Sequence, residues 1–458
     1  MNPTVLSSLL LGLIAGLTAA FTSSAGTIIL LPRYHLAVGQ ELVYEGSSRF
    51  KYERGVHGTT DKTTLWVAAQ NKDQSWHIIA HNENTFASMH GTNDGPLPQG
   101  QKRETFGAFD LYPDGHIGKP PEGNREEGLS SMFPPLPADL PSAERGWELD
   151  KGDGDKALFR LDPLSDAAAG KWVFDRSDEG LQNEVYLSTS KAVIHFDASR
   201  GFITKVEGEN TQGYGVNGKG TGGTELKSDS KKDPEWIAQL SREAEVLSKA
   251  KAAVRDAEKV LRQGGDAPKT TASTEKLLLE GRAQVKLPVI VAQFDAQLKD
   301  FKSSAAYFAE EKQHEDEVLN KPAADWSVED IDGKKHSLED YRGKVVVLDF
   351  WYRGCGWCIK AMPQIKEVVT HYEGKPVVVL GMNTDREEKD ARFVVDKLKL
   401  NYTTLKAEGW SDKYGVQGFP TLVVIDQKGV VRGRHVGYSP TLREELIKQI
   451  DGLLGGGK

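Results

Sequence analysis

At 458 residues, 27% of them charged and 38% apolar, the chain exceeds one typical compact core and lacks the composition of a disordered or fibrous protein. Its 58 basic and 66 acidic residues leave a net charge of −8, which argues against nucleic-acid binding or an anionic-membrane surface. The only cysteines, Cys355 and Cys358, are too close to staple a fold by closing a long loop, so a reactive or metal role has to be considered.

In chain order, the apolar run Val5–Ala20 is followed by Thr22-Ser23-Ser24-Ala25-Gly26. This reads as a signal peptide over residues 1–25 and implies export, to a periplasmic, otherwise extracytoplasmic or secreted location. Membrane anchoring through 5–20, if the segment is not cleaved, is the alternative.

Residues 26–223 carry short aromatic and β-branched runs, among them Thr64–Ala69, Trp76–Ala80, Ala192–Phe196 and Phe202–Glu207, with the turn Tyr112-Pro113-Asp114-Gly115 between them. They predict a mostly β domain of unknown function, an antiparallel sandwich or open barrel. Asn93–Pro141, rich in Pro and Gly, reads as a plain surface excursion, with a long functional loop as the alternative. The histidines here, His77 and His81 included, meet no carboxylate or cysteine pattern that completes a ligand set, so no metal is expected.

The glycines between Gly208 and Asp233 read as a linker. Asp233-Pro234-Glu235 then opens a helix, with Asp233 as cap and proline at the first helical position. Leu240, Leu247, Val254 and Leu261 repeat every seven residues, and a second helical region from Ser273 to Val318 is bent or interrupted near Pro288. Residues 224–321 are therefore expected to form a helical hairpin and linker, packed within the chain. A dimerising coiled coil is the alternative, and Glu243 interrupts its stripe.

From Pro322 onward, strands and helices alternate: strands at Lys344–Phe350, Pro376–Gly381, Thr421–Asp426 and Gly429–His435, helices at Met362–His371, Glu388–Leu398 and Leu442–Leu453. The unbroken apolar strands predict an α/β sheet covered on both faces. Cys355-Gly356-Trp357-Cys358 directly follows the first of these strands. Asp349-Phe350-Trp351 precedes it, Pro363 lies five residues after Cys358, and Gly418-Phe419-Pro420-Thr421 comes later.

These four features in this order resemble the thioredoxin fold over 322–458, and the opening Trp326–Leu338 with the Asp426–Gly429 turn resembles its TlpA/ResA-like branch. The resemblance implies a multidomain thiol-disulfide oxidoreductase with a redox-active disulfide in its C-terminal domain. Cys355 would be the attacking nucleophile, Cys358 the resolving cysteine and Asp349 the acid that exchanges its proton. Trp357, Phe419 and a cis Pro420 would face the substrate, while Trp351 and Pro363 shape the site. The partners implied are protein thiols or disulfides and an unidentified electron donor or acceptor; no cofactor is implied. The lysine that partners the acid in thioredoxins would fall near Gly381, which leaves the charge balance of Asp349 open. A thiol peroxidase of the peroxiredoxin class, and a binding or scaffold protein with an accessory redox domain, are the alternatives.

Overall fold

A computed structural model describes residues 20–22, 28–52, 55–90, 97–118, 132–139, 146–152, 155–179, 186–214 and 218–455. The apolar run of the expected signal peptide and its cleavage site lie outside the described residues, apart from a short strand β1 (Ala20–Thr22) that pairs with β2 (Ile28–Leu30). Among the described residues no helix is long and apolar enough to cross a membrane. The chain divides into two compact units, the second taking Leu261–Ala267 and Ser303–Lys458.

The first unit is built on one antiparallel sheet. Strands β3 (Gln40–Tyr52), β4 (Gly55–Gln70), β5 (Trp76–His90) and β6 (Gln101–Leu111) form one meander. Strands β7 (Trp147–Gly152), β8 (Asp155–Leu161), β9 (Lys171–Glu179), β10 (Tyr186–Asp197), β11 (Phe202–Tyr214) and β12 (Gly218–Lys231) form the other. The two are joined where β12 pairs with β3, giving the order β6-β5-β4-β3-β12-β11-β10-β9-β8-β7. Where a sandwich or an open barrel was expected, the described strands form one continuous antiparallel sheet. Both halves feed one buried cluster, including Leu42, Ile78, Phe109, Phe159, Phe174, Phe196 and Phe202.

Two sequence readings fail here for identifiable reasons. The expected linker is a hairpin of β11 and β12, because its glycines are packing devices: a Cβ on Gly218 would meet Phe50 at 2.1 Å, and one on Gly222 would meet Ser48 at 2.8 Å. Close approach of neighbouring chains calls for glycine inside a strand. Part of the expected surface excursion, residues 132–139, is likewise structural. Phe133 packs on Tyr34 and Phe109, Leu136 is buried, and Pro135 O accepts a hydrogen bond from Trp147 Nε1 at 2.8 Å.

Three helices replace the expected hairpin: α1 (Pro234–Arg262), α2 (Ala267–Ala283) and α3 (Pro288–Val318). The expected interruption near Pro288 is present: α2 ends at Ala283 and Pro288 begins α3, at a position where a missing N–H costs no helical bond. Asp233 caps α1 by accepting from Glu235 N–H at 2.8 Å, and Leu240, Leu247, Val254 and Leu261 are all buried. Glu243 explains its place in that stripe: its buried carboxylate accepts from Leu287 N–H at 2.8 Å and Gln239 Nε2 at 2.8 Å. It thus satisfies a backbone donor at the start of α3. The helices do not form a unit of their own, since α3 crosses from the first unit to the second after Lys302.

The second unit has a five-stranded mixed sheet with order β17-β16-β15-β18-β19. Its strands are β15 (Val345–Trp351), β16 (Val377–Asn383), β17 (Thr403–Lys406), β18 (Thr421–Ile425) and β19 (Val431–Val436), preceded by the small hairpin β13 (Ser327–Glu329) and β14 (Lys335–Ser337). Helices α4 (Gly356–His371), α5 (Glu388–Leu398) and α6 (Leu442–Gly455) complete it. Every residue of β15 is buried. Alternate side chains serve opposite faces: Val346, Leu348 and Phe350 join the cluster with Trp326 and Tyr414, while Val345 and Val347 join Ala361, Ile365 and Val368 of α4 and Leu446 of α6. The period of two puts Asp349 and Trp351 on the α4 and α6 face.

Candidate active site

The strand β15 ends at Trp351, and the chain turns within four residues into α4 at Gly356. That turn is held from its side. Arg353 N–H donates to Asp385 Oδ2 at 2.8 Å, its guanidinium reaches Asp390 at 2.6 Å, and it lies over the Phe393 ring at 4.4 Å. Asn383 Nδ2 donates to the same Asp385 oxygen at 2.8 Å. The Asp385 carboxyl is raised by burial, which outweighs these bonds. No sequence pattern signals this clamp, because its members lie on the turn, at the end of β16, in the loop after it and on α5.

Cys355 is the N-cap of α4, and its sulfur accepts the Cys358 N–H at 3.1 Å. The helix begins here and not at Met362 as the apolar pattern alone predicts, so the pair occupies the helix end where unpaired donors and the dipole favour a thiolate. Cys355 and Cys358 are joined as a disulfide. Cys355 is 6% exposed and Cys358 1%, so the first sulfur is the more accessible of the two. Pro363 lies inside α4, and Trp351 is fully buried.

The Phe419–Pro420 peptide bond, directly before β18, is cis. Phe419 meets Tyr352 edge to face at 5.2 Å, and a cavity of about 360 Å³ beyond it is lined by Tyr307, Glu311, Gly418, Phe419, Arg434 and Val436. Trp357, between the cysteines, is half exposed. It stacks on Tyr438 at 5.6 Å, and Lys360 lies over both rings. Tyr438 and Lys360 escaped the sequence reading; Lys360 is signalled only by its position one turn after Trp357.

Asp349 lies one strand residue from Phe350 and opposite Gly381 in the parallel pair with β16. Burial raises its carboxyl from the ordinary 3.8 to about 7, opposed by a hydrogen bond from Tyr402 Oη to Oδ2 at 3.1 Å. No lysine stands at 381, as expected; the neighbour missed from the sequence is Tyr402. Among the described residues no group of three or more metal-binding side chains is found; His77 and His81 pair with Asp110 and Glu104.

Residues 319–434 match the AhpC/TSA family. The thioredoxin-like protein YneN of Bacillus subtilis is 33% identical over 132 residues, 28% of this chain and 76% of that protein. The thiol-disulfide oxidoreductase ResA of Bacillus cereus is 32% identical over 147 residues, 31% of this chain and 83% of its own length. The chain belongs to the thioredoxin-like thiol-disulfide oxidoreductases. A solved thiol:disulfide interchange protein from Bacteroides sp. is 26% identical, covering 31% of this chain and 95% of its own, with a TM-score of 0.28. In this oxidoreductase the family match lies within the second unit, apart from the sheet of the first.

Proposed function

We propose that the protein is an exported thiol-disulfide oxidoreductase that reduces disulfides of protein partners through Cys355 and Cys358. The observation that carries this reading is the placement of the pair: Cys355, the less deeply buried of the two, at the N-terminus of α4 with Cys358 a turn behind it. In the reduced protein, the Cys355 thiolate attacks one sulfur of the substrate disulfide and displaces the other as a thiolate. Cys358, giving its proton to Asp349, then attacks Cys355 Sγ and releases the second substrate sulfur. The substrate gains two electrons and the pair closes as a disulfide, which an external thiol donor must reopen. Phe419 and Pro420 offer backbone for an extended substrate segment, and Trp357 with Tyr438 an aromatic surface beside the sulfurs. Export is supported by the apolar run Val5–Ala20 and the small residues after it.

Reduction of a generic protein disulfide by the full chain tests the reading. Wild type should turn over with a dithiol donor, Cys355→Ser should be inert, and Cys358→Ser should accumulate a mixed disulfide with substrate. Turnover of hydrogen peroxide without disulfide reduction would replace it with a peroxidase. A mature chain from an exporting cell that still begins before residue 20 would favour the retained anchor.

A further inference from the structure

Asp349 lies in a niche whose shape follows from one glycine. Gly381 faces it across β15 and β16, and Thr404 flanks Gly381 on the other side, across β16 and β17. A Cβ added at Gly381 would stand 2.8 Å from Trp351 Nε1, and 3.2 Å from both Thr404 Oγ1 and the Tyr402 ring. A longer side chain cannot enter from 381 without displacing these groups. The phenol of Tyr402, itself buried, comes in from the neighbouring segment and donates to one carboxyl oxygen of Asp349, Oδ2. The other oxygen, Oδ1, is buried and has no hydrogen-bond partner.

The two oxygens are therefore unequal. One is held by a neutral donor that adds no charge; the other keeps its lone pairs for a proton. Of the elements against Asp349, β16 brings Gly381, β18 brings Leu422, and α6 brings apolar residues to this face. Tyr402 is the titratable group bonded to Asp349, and α4, which packs on this face, carries the buried Cys358 in its first turn. Resting on the proposed redox reading, we propose that Tyr402 is a positioning residue that fixes the Asp349 carboxyl through Oδ2 and reserves Oδ1 to receive the Cys358 proton. The step is Cys358–SH plus Asp349 carboxylate going to the Cys358 thiolate plus the protonated acid. The thiolate then forms the bond to Cys355 Sγ as the bond from Cys355 to substrate breaks.

A hydrogen bond from a phenol stabilises the carboxylate over the acid, so its removal raises the pH at which Asp349 ionises. The test is the rate at which full-length protein, mixed with an excess of a small aromatic disulfide in a single turnover, resolves the mixed disulfide as a function of pH. Wild type should gain rate along a limb that follows Asp349 ionisation. Tyr402→Phe should move that limb up by about one pH unit, slow resolution severalfold at neutral pH, and leave the rate of mixed-disulfide formation unchanged. A ring-fluorinated tyrosine at 402, a stronger donor with the packing retained, should move the limb down, and it decides the matter if Tyr402→Phe does not fold. A limb that stays in place in these variants but vanishes in Asp349→Asn overturns the role of Tyr402 and leaves the redox reading standing. A limb that survives Asp349→Asn removes the acid from the reaction and overturns both assignments.

Discussion

The two units solve the same packing problem with different consequences for chemistry. The first buries aromatic side chains against a ten-stranded sheet, and its charged groups pair along and across strands: Lys102 of β6 with Glu104 of the same strand and Glu83 of β5, and Arg176 with Asp178 along β9. Its open cleft of about 360 Å³, lined by Tyr44, Phe50, His57, Asp61 and Arg176 among others, holds neither cysteine. The second places a carboxyl, Asp349, within a fully buried strand, and the turn after that strand carries a reactive pair. Burial in one unit serves cohesion; in the other it also sets proton affinity.

Substitutions in each unit test this division. Cys355→Ser should reduce disulfide exchange to background while the thermal transition of the first unit stays in place; loss of both would show that the units do not hold separately.

Asp349→Asn comes next, and its effect depends on pH. Its carboxyl ionises near 3.8 when unfolded and near 7 when folded. Below the lower value both states hold the proton and the residue contributes nothing. Between the two, the folded state keeps a proton the unfolded state has lost, so wild-type stability falls as pH rises; above the upper value the full penalty stands. The oxidised Asn variant should match wild type at low pH and exceed it by roughly 4 kcal/mol in mildly alkaline buffer. Denaturant titrations at several pH values measure this, and a constant difference would refute the burial argument.

Ile78→Ala, at a fully buried position of β5, should cost roughly 2–5 kcal/mol in the first unit without changing the rate of exchange with a small disulfide. Equal loss of that rate would contradict the division of labour. Trp357→Ala should do least: a rise of roughly fivefold in KM for a protein substrate, about 1 kcal/mol, with the small-disulfide rate kept. An unchanged KM would remove Trp357 from the binding surface.

How much of this was legible depended on how local each signal is. The redox pair, Pro420 and the α5 span from Glu388 to Leu398 stand in contiguous patterns, and the fold of the second unit followed from them. Tyr402 was invisible because its tie to Asp349 spans 53 positions and the strand after it is only four residues long. Position 381 was the nearest hint, a glycine where a cation was looked for. In the first unit, the strand role of Gly218 and Gly220 was hidden because glycine in a loop and glycine under Phe50 look alike until the partner strand is known. Phe133 and Leu136 were hidden by their prolines, which forbid regular structure and say nothing about burial. Glu243 was legible as an anomaly in the stripe of α1, but its partner, Leu287 N–H, is a backbone group that no sequence pattern displays.

The pairing of β3 with β12 bears on how the chain is made. Gln40 meets Lys231 and Lys51 meets Lys219, so the first long strand waits for the last before its second edge is covered. Such distant pairing is slow, because the entropy of closing the intervening chain is spent before contacts repay it. During synthesis β3 would present an open edge until β12 emerges, the condition under which strands join the wrong neighbour. Ser47 and Ser48, which the register sets opposite Gly223 and Gly222, make that edge a poor template for apolar strands. The centre of the sheet is thus its last seam to close, and truncation before Lys231 should leave nascent chains that a chaperone or protease meets as unfinished.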